Sequence, residues 1–250
     1  MAPIRILIIN PNSSSAMTEA LKPVVEGLGF GDLKNHDAFL IACYSAHPLV
    51  PLLRAHQPPP TKPVLGIFEA SVSASLLCLG ANESFGIVST GKVWEGLLTR
   101  AVGAFLGGKD GDGEGEEEEA KGKWRRFAGV ETTGLSAGEL HEAPREEVRR
   151  RVKEAAARLV AGPQAGGRDA RAEKEGDGDA VGVKHGARGV EGKAEVGGER
   201  KVTAVCLGCA GMVGMEAWVR EAVGEALGTG AEDVRVVDGV KVGVGMLVAL

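Results

Sequence analysis

The chain has 250 residues and a net charge of −5, with 44% hydrophobic and 25% charged residues, the proportions of an ordinary globular protein. Its length fits one large domain or two small ones. The composition speaks against nucleic acid, since no basic stripe carries interleaved aromatics. It also speaks against a membrane, since no apolar run approaches the ~18 residues a spanning helix needs.

Residues 4–9 are a near-continuous apolar run, the pattern of a strand covered on both faces, and Asn10-Pro11-Asn12 ends it in a turn. Ser13 to Ser15 are capping residues, and a helix is expected from there to about Gly27. Ala38 to Ala42 is a second buried strand ending at Cys43. A helix is expected over His47 to His56, a short strand at Val64 to Ile67, and a helix of small residues over Glu69 to Leu79. Phe85 to Thr90 then repeats the opening plan, a strand followed by a polar turn at Gly91 and a helix over Val93 to Leu106. Phe127 to Val130 is a weaker strand. Pro144 to Val160 is an amphipathic helix with Val148, Val152, Ala156 and Leu159 on one face and Gly162 as its stop. Val202 to Leu207 is a buried strand leading through Gly208-Cys209-Ala210-Gly211 into a helix to about Leu227. A strand at Val234 to Val237 and an apolar helix from Val240 close the chain.

Two segments depart from this alternation. Residues 107–123 are rich in Gly and Glu, and residues 162–201 contain no aromatic residue, Leu or Ile. Neither can bury enough apolar surface to offset its ordering entropy, so both read as disordered insertions. The rest alternates strand and helix, which predicts an α/β fold with parallel sheets. Ligands on such sheets bind at the C-terminal ends of the strands. That rule selects Asn10-Pro11-Asn12, Cys43-Tyr44-Ser45, Ser89-Thr90-Gly91 and Gly208-Cys209-Ala210-Gly211.

Four cysteines without a secretory pattern read as thiols of a reducing, cytoplasmic compartment. Cys43 and Cys209 occupy matching positions, each after a buried strand and before small or polar residues leading to a helix. A helix start offers N–H groups and positive potential that favour a thiolate. The plainer alternative is a small buried hydrophobe. Cys206, within Val205-Cys206-Leu207, and Cys78, within Leu76 to Leu79, read as core-packing residues. Cys206 and Cys209 also form a C-x-x-C, which leaves a redox dithiol open. A zinc site could be written from Cys43, His47, Cys206 and Cys209, without a second ligand pair to support it. His47 could pair with a thiolate or cap a helix. The turn residues Asn10, Asn12, Thr90 and Gly91 could equally hold a carbonyl or carboxylate. No dinucleotide or P-loop signature is present.

Ile8-Ile9-Asn10-Pro11-Asn12-Ser13-Ser14, Leu40-Ile41-Ala42-Cys43-Tyr44-Ser45, Gly66-Ile67-Phe68-Glu69-Ala70 and Leu207-Gly208-Cys209-Ala210-Gly211-Met212 occur in this order. Together they resemble the Asp/Glu/hydantoin racemase superfamily, and within it the hydantoin and allantoin racemase branch and its fungal relatives. The resemblance implies two similar Rossmann- or flavodoxin-like lobes with the active site in the cleft between them. Residues 1–80 plus 234–250 would form the first lobe and residues 82–233 the second, with insertions at about 107–123 and 162–201. It further implies one catalytic cysteine per lobe, Cys43 and Cys209, moving a proton at a carbon next to a carbonyl, with Asn10, Asn12, Ser45, Thr90, Gly91, Ala210 and Gly211 around the substrate. No metal or organic cofactor is implied. The partner is a small molecule, with a homo-oligomer left open. Members of the family generally carry a further strand and helix before the first cysteine strand. Here only Gly29 to Asp37 occupies that place, so a shortened first lobe is expected. Two other readings stay open: a related cysteine-dependent isomerase or decarboxylase, and a non-catalytic relative that binds a small ligand.

Overall fold

A computed structural model describes residues 4–11, 35–57, 59–107, 126–162 and 201–250. The helix expected after Asn12 lies outside these residues, as does nearly all of the two low-complexity segments. Two parallel sheets organise the described residues. The first has the order β1 (Ile6–Ile9), β2 (Ala38–Ile41), β3 (Val64–Gly66). The second has the order β5 (Phe127–Thr132), β4 (Glu83–Ser89), β6 (Lys201–Leu207), β7 (Arg235–Asp238). Every strand pair among the described residues is parallel, so all strand C-termini within a sheet share one edge.

The helices follow the apolar runs. They are α1 (Leu49–Ala55), α2 (Ile67–Cys78), α3 (Val93–Phe105), α4 (Glu139–Glu142), α5 (Arg145–Ala161), α6 (Glu216–Leu227) and α7 (Gly239–Ala249). Short 3-10 turns at Ala210–Met212 and Gly228–Asp233 complete the described elements. Pro144 stands at the N-cap of α5, and Gly162 ends that helix with φ +71°, a left-handed conformation that suits glycine. The four-residue α4 had no counterpart in the sequence expectations, because one helical turn carries no periodicity.

Packing makes a layered molecule. On β2, Phe39 and Ile41 face α1, while Ala38, Leu40 and Ala42 join a core shared with α2 and α7. On β6, Val205 and Leu207 face α5 and α6, while Ala204 and Cys206 enter the shared core. This period of two places both sheets on one common apolar layer. Phe68 and Phe85 are fully buried there, on elements of different lobes.

The strand at the chain's end corrects one boundary. Residues 234–250 were expected to belong wholly to the first lobe. β7 instead pairs with β6 in the second sheet, and α7 alone crosses back to pack on α2 and β2. Asp238 marks the crossing: its Oδ1 accepts from the N–H groups of Val240 and Lys241 at 2.8 and 3.2 Å. Asp238→Ala should cost about 1 kcal/mol, the usual loss for an N-cap, and Asp238→Asn should restore most of it in urea melts.

Cys78 is a second correction. It is exposed in the last turn of α2, beside Leu77, which is 83% exposed, and so does not pack in the core. Cys78 is the last residue of the helix, and a run of apolar letters does not show that its final turn stands in solvent. Cys206 is buried as expected, but among polar groups: its sulfur lies 3.1 Å from Ser75 Oγ.

Candidate active site

The strand ends of both sheets converge on a cleft of about 390 Å³. β1 supplies Asn10 and Pro11, the segment after β2 supplies Ala42, Cys43 and Tyr44, β4 leads to Thr90, and β6 leads to Gly208, Cys209, Ala210 and Gly211. Trp94 of α3, Ala137, Gly138 and His141 of α4 complete the lining. Of the residues expected to do the chemistry or surround the substrate, Asn10, Cys43, Thr90, Cys209, Ala210 and Gly211 line the cleft. Ser45 stands behind Cys43, with its Oγ 3.5 Å from Cys43 Sγ. Gly91 starts the turn into α3, its carbonyl accepting from Trp94 N–H at 3.0 Å, and does not line the cleft. Asn12 lies outside the described residues.

Cys209 is held by its turn. Its backbone is extended, with φ −159° and ψ 141°, and it caps the 3-10 turn that follows. Its Sγ accepts from Gly211 N–H at 3.4 Å. The strand delivers it firmly: Gly208 N–H donates to the Val88 carbonyl at 2.7 Å, and Ser89 Oγ donates to the Gly208 carbonyl at 2.9 Å. Burial pushes the Cys209 thiol above its ordinary range, the Gly211 N–H works in the opposite direction, and charge on Cys43 pushes it up again.

Cys43 is half-buried at the end of the central strand of the first sheet, and no cysteine is in a disulfide. Next to it, Tyr44 turns into the shared core, where Ser71 Oγ donates to its hydroxyl oxygen at 2.8 Å. Burial raises the Tyr44 phenol well above its ordinary value, so it stays neutral and fixes the loop that carries Cys43.

His47 acts as a cap. Its Nδ1 accepts from Leu49 N–H at 3.1 Å at the start of α1, which puts the ring proton on Nε2. The ring is 2% exposed and burial lowers its pKa from the ordinary 6.5. The unfolded chain therefore binds this proton at higher pH than the folded chain. Stability should rise with pH through the window below 6.5 and fall as acid is added. His47→Asn keeps an acceptor for Leu49 N–H and should flatten that slope in urea melts compared at about pH 5.5 and 7.

Among the described residues no group of three or more His, Cys, Asp or Glu could hold a metal ion. The quartet written from the sequence is not assembled, since Cys206 faces the core with Ser75 and His47 caps α1. A surface groove of about 560 Å³ runs between α5 and α6, lined by none of the strand-end residues. Its cations Arg149 and Lys153 are paired with Glu221 and Glu225. No helix among the described residues is long and apolar enough to cross a membrane.

Trp94 and His141 were missed in the sequence. Trp94 could have been found as the aromatic at the second position of the helix after the Ser89-Thr90-Gly91 turn. His141 carried no signal, because α4 reaches the cleft only through packing against the 3-10 turn and α5.

Comparison with known proteins fits this geometry. The family model for Asp/Glu/hydantoin racemase matches residues 28–167, a span that includes Cys43 and Thr90. An uncharacterized protein of Schizosaccharomyces pombe is 29% identical over 283 aligned positions, covering 99% of this chain and 92% of that protein. An allantoin racemase from Klebsiella pneumoniae shares the fold with a TM-score of 0.53 at 19% identity, over 99% of this chain and 87% of its own. An allantoin racemase from Pseudomonas fluorescens does so with a TM-score of 0.50 at 19% identity, over 99% and 90%.

Proposed function

Because the chain belongs to the Asp/Glu/hydantoin racemase family, we propose that it is a cofactor-independent racemase or epimerase of an amino-acid derivative with a hydantoin- or allantoin-like ring. Cys43 and Cys209 are its proton-transfer groups. The observation that carries this reading is the cleft itself, which draws one thiol from the end of a strand in each sheet.

In the reaction one cysteine thiolate takes the hydrogen from the carbon next to a carbonyl, becoming a thiol. The electron pair moves into the carbonyl to give a planar enolate. The other cysteine thiol gives its proton to the opposite face, becoming a thiolate, and the carbon is inverted. Either group must serve as base for one enantiomer and as acid for the other, which requires similar acidity. Burial keeps Cys209 in its thiol form, which suits it to deliver a proton first. Thr90 and the small residues Ala210 and Gly211 leave hydroxyl and backbone groups close to the developing oxyanion.

The described lining contains no Asp, Glu, Lys or Arg. A zwitterionic amino acid would lose hydration there without a fixed countercharge, a costly exchange, whereas a neutral ureide ring would not. Trp94 offers a flat apolar wall to such a ring.

The test is deuterium uptake in heavy water, using a chiral 5-substituted hydantoin and allantoin. Deuterium should appear at the chiral carbon as optical rotation is lost. Exchange no faster than in a Cys43→Ser/Cys209→Ser chain, on both substrates, would sink the proposal.

A further inference from the structure

His141 lines the cleft but has no part in the steps above. It sits on α4, which packs against the 3-10 turn that follows Cys209. A Cβ placed on Gly211 would lie 3.0 Å from His141 Nε2 and 3.6 Å from Cys209 Sγ. The imidazole edge and the sulfur therefore converge on one point, and it is the missing side chain at Gly211 that leaves the space between them.

Cys209 needs a second donor. Among the described residues one N–H, that of Gly211 at 3.4 Å, is bonded to its sulfur, and burial and the charge on Cys43 both oppose the thiolate. A partly buried anion in that position is stabilised chiefly by N–H groups aimed at it. The His141 ring is exposed at the cleft and makes no side-chain hydrogen bond among the described residues, so turning Nε2 toward the sulfur breaks no bond there.

We propose that His141 is a positioning residue for Cys209, its Nε2–H donating to the sulfur in the thiolate state, so that it acts on one face of the cleft only. Its part in turnover rests on the two-thiol reading above, and the contact itself does not.

The first measurement needs no turnover. In the full chain carrying Cys43→Ser, iodoacetamide modification of Cys209 is followed by peptide mass at pH near 7.5, which separates it from the exposed Cys78. His141→Ala should slow that modification by about four- to tenfold, the loss of one hydrogen bond to a charged sulfur offset in part by its higher nucleophilicity. His141→Gln, which keeps an N–H at similar reach, should restore the rate to within about twofold. An unchanged or faster rate in His141→Ala overturns the proposal.

The second measurement uses whichever ring substrate is racemised. The equilibrium constant between enantiomers is unity, so kcat/KM must change equally in both directions and cannot reveal a one-sided effect. Primary deuterium isotope effects can. In His141→Ala the effect should grow for the enantiomer deprotonated by Cys209 and fall toward one for its mirror image. A slowed enzyme with equal isotope effects in both directions has lost something other than this contact. If the parent chain racemises nothing while the modification rates behave as expected, the racemase reading fails and the His141 contact stands.

Discussion

Cys43→Ser and Cys209→Ser should each lower racemisation by about 10²–10⁴-fold, the usual contribution of a positioned acid or base. A serine hydroxyl keeps the shape of the thiol but is far too weak an acid to share a proton with a carbon near neutral pH. The two groups act as one unit, so the double variant should be little slower than the worse single variant. The singles differ in a second respect. With Cys209 removed, Cys43 can still take and return the proton of one enantiomer. That enantiomer should exchange deuterium without inversion, and its mirror image should not. Cys43→Ser should show the opposite preference. Polarimetry and proton NMR on separate enantiomers measure both, and near-normal inversion in either single variant would remove that cysteine from the mechanism.

Gly208→Ala should be the most damaging single-methyl change in the site. A Cβ there would lie 2.6 Å from Ile87 Cγ2, 2.9 Å from the Val88 carbonyl oxygen and 3.0 Å from Ser89 Cβ. Ile87 can turn its methyl, but the Val88 carbonyl is backbone, already bonded to Gly208 N–H at 2.7 Å. Relief requires β6 and β4 to part at their C-terminal ends. Overpacking of this kind costs about 1–3 kcal/mol, which for a domain of this size lowers Tm by roughly 2–4 °C per kcal/mol. The loss in activity should exceed the loss in stability. Cys209 is the next residue, and a displacement of about 1 Å in a reacting group costs about 10²-fold. Gly91→Ala is the matched control, since the nearest atom to a Cβ there is 4.0 Å away. Equal activity in the two variants would show that the Gly208 contact does not position Cys209.

Much of the site could be read from the letters because its residues stand where apolar runs stop. Ile9 to Asn10, Ala42 to Cys43, Ser89 to Thr90 and Gly208 to Cys209 are changes of composition, and a parallel sheet turns each of them into a point on one edge. Ser45 and Gly91 share those turns but stand one step off the lining. Cys78 and Cys206 show the limit of reading burial from neighbours. Both lie in apolar runs, yet one ends exposed on a helix and the other meets Ser75 in a polar pocket of the core.

By itself the sequence determined the alternation of strand and helix and the strand ends that carry Cys43 and Cys209, since these depend on local periodicity and on where it breaks, while the two-lobed plan came from the family resemblance. Tertiary structure decided that β7 joins the second sheet while α7 crosses to the first, and that α2 and α7 lie in a core common to both. It also brought Trp94 and His141 to the cleft, on elements whose own residues point to no partner. Hydrogen-bonded register and the burial of apolar faces set those placements, and both are properties of which surfaces meet.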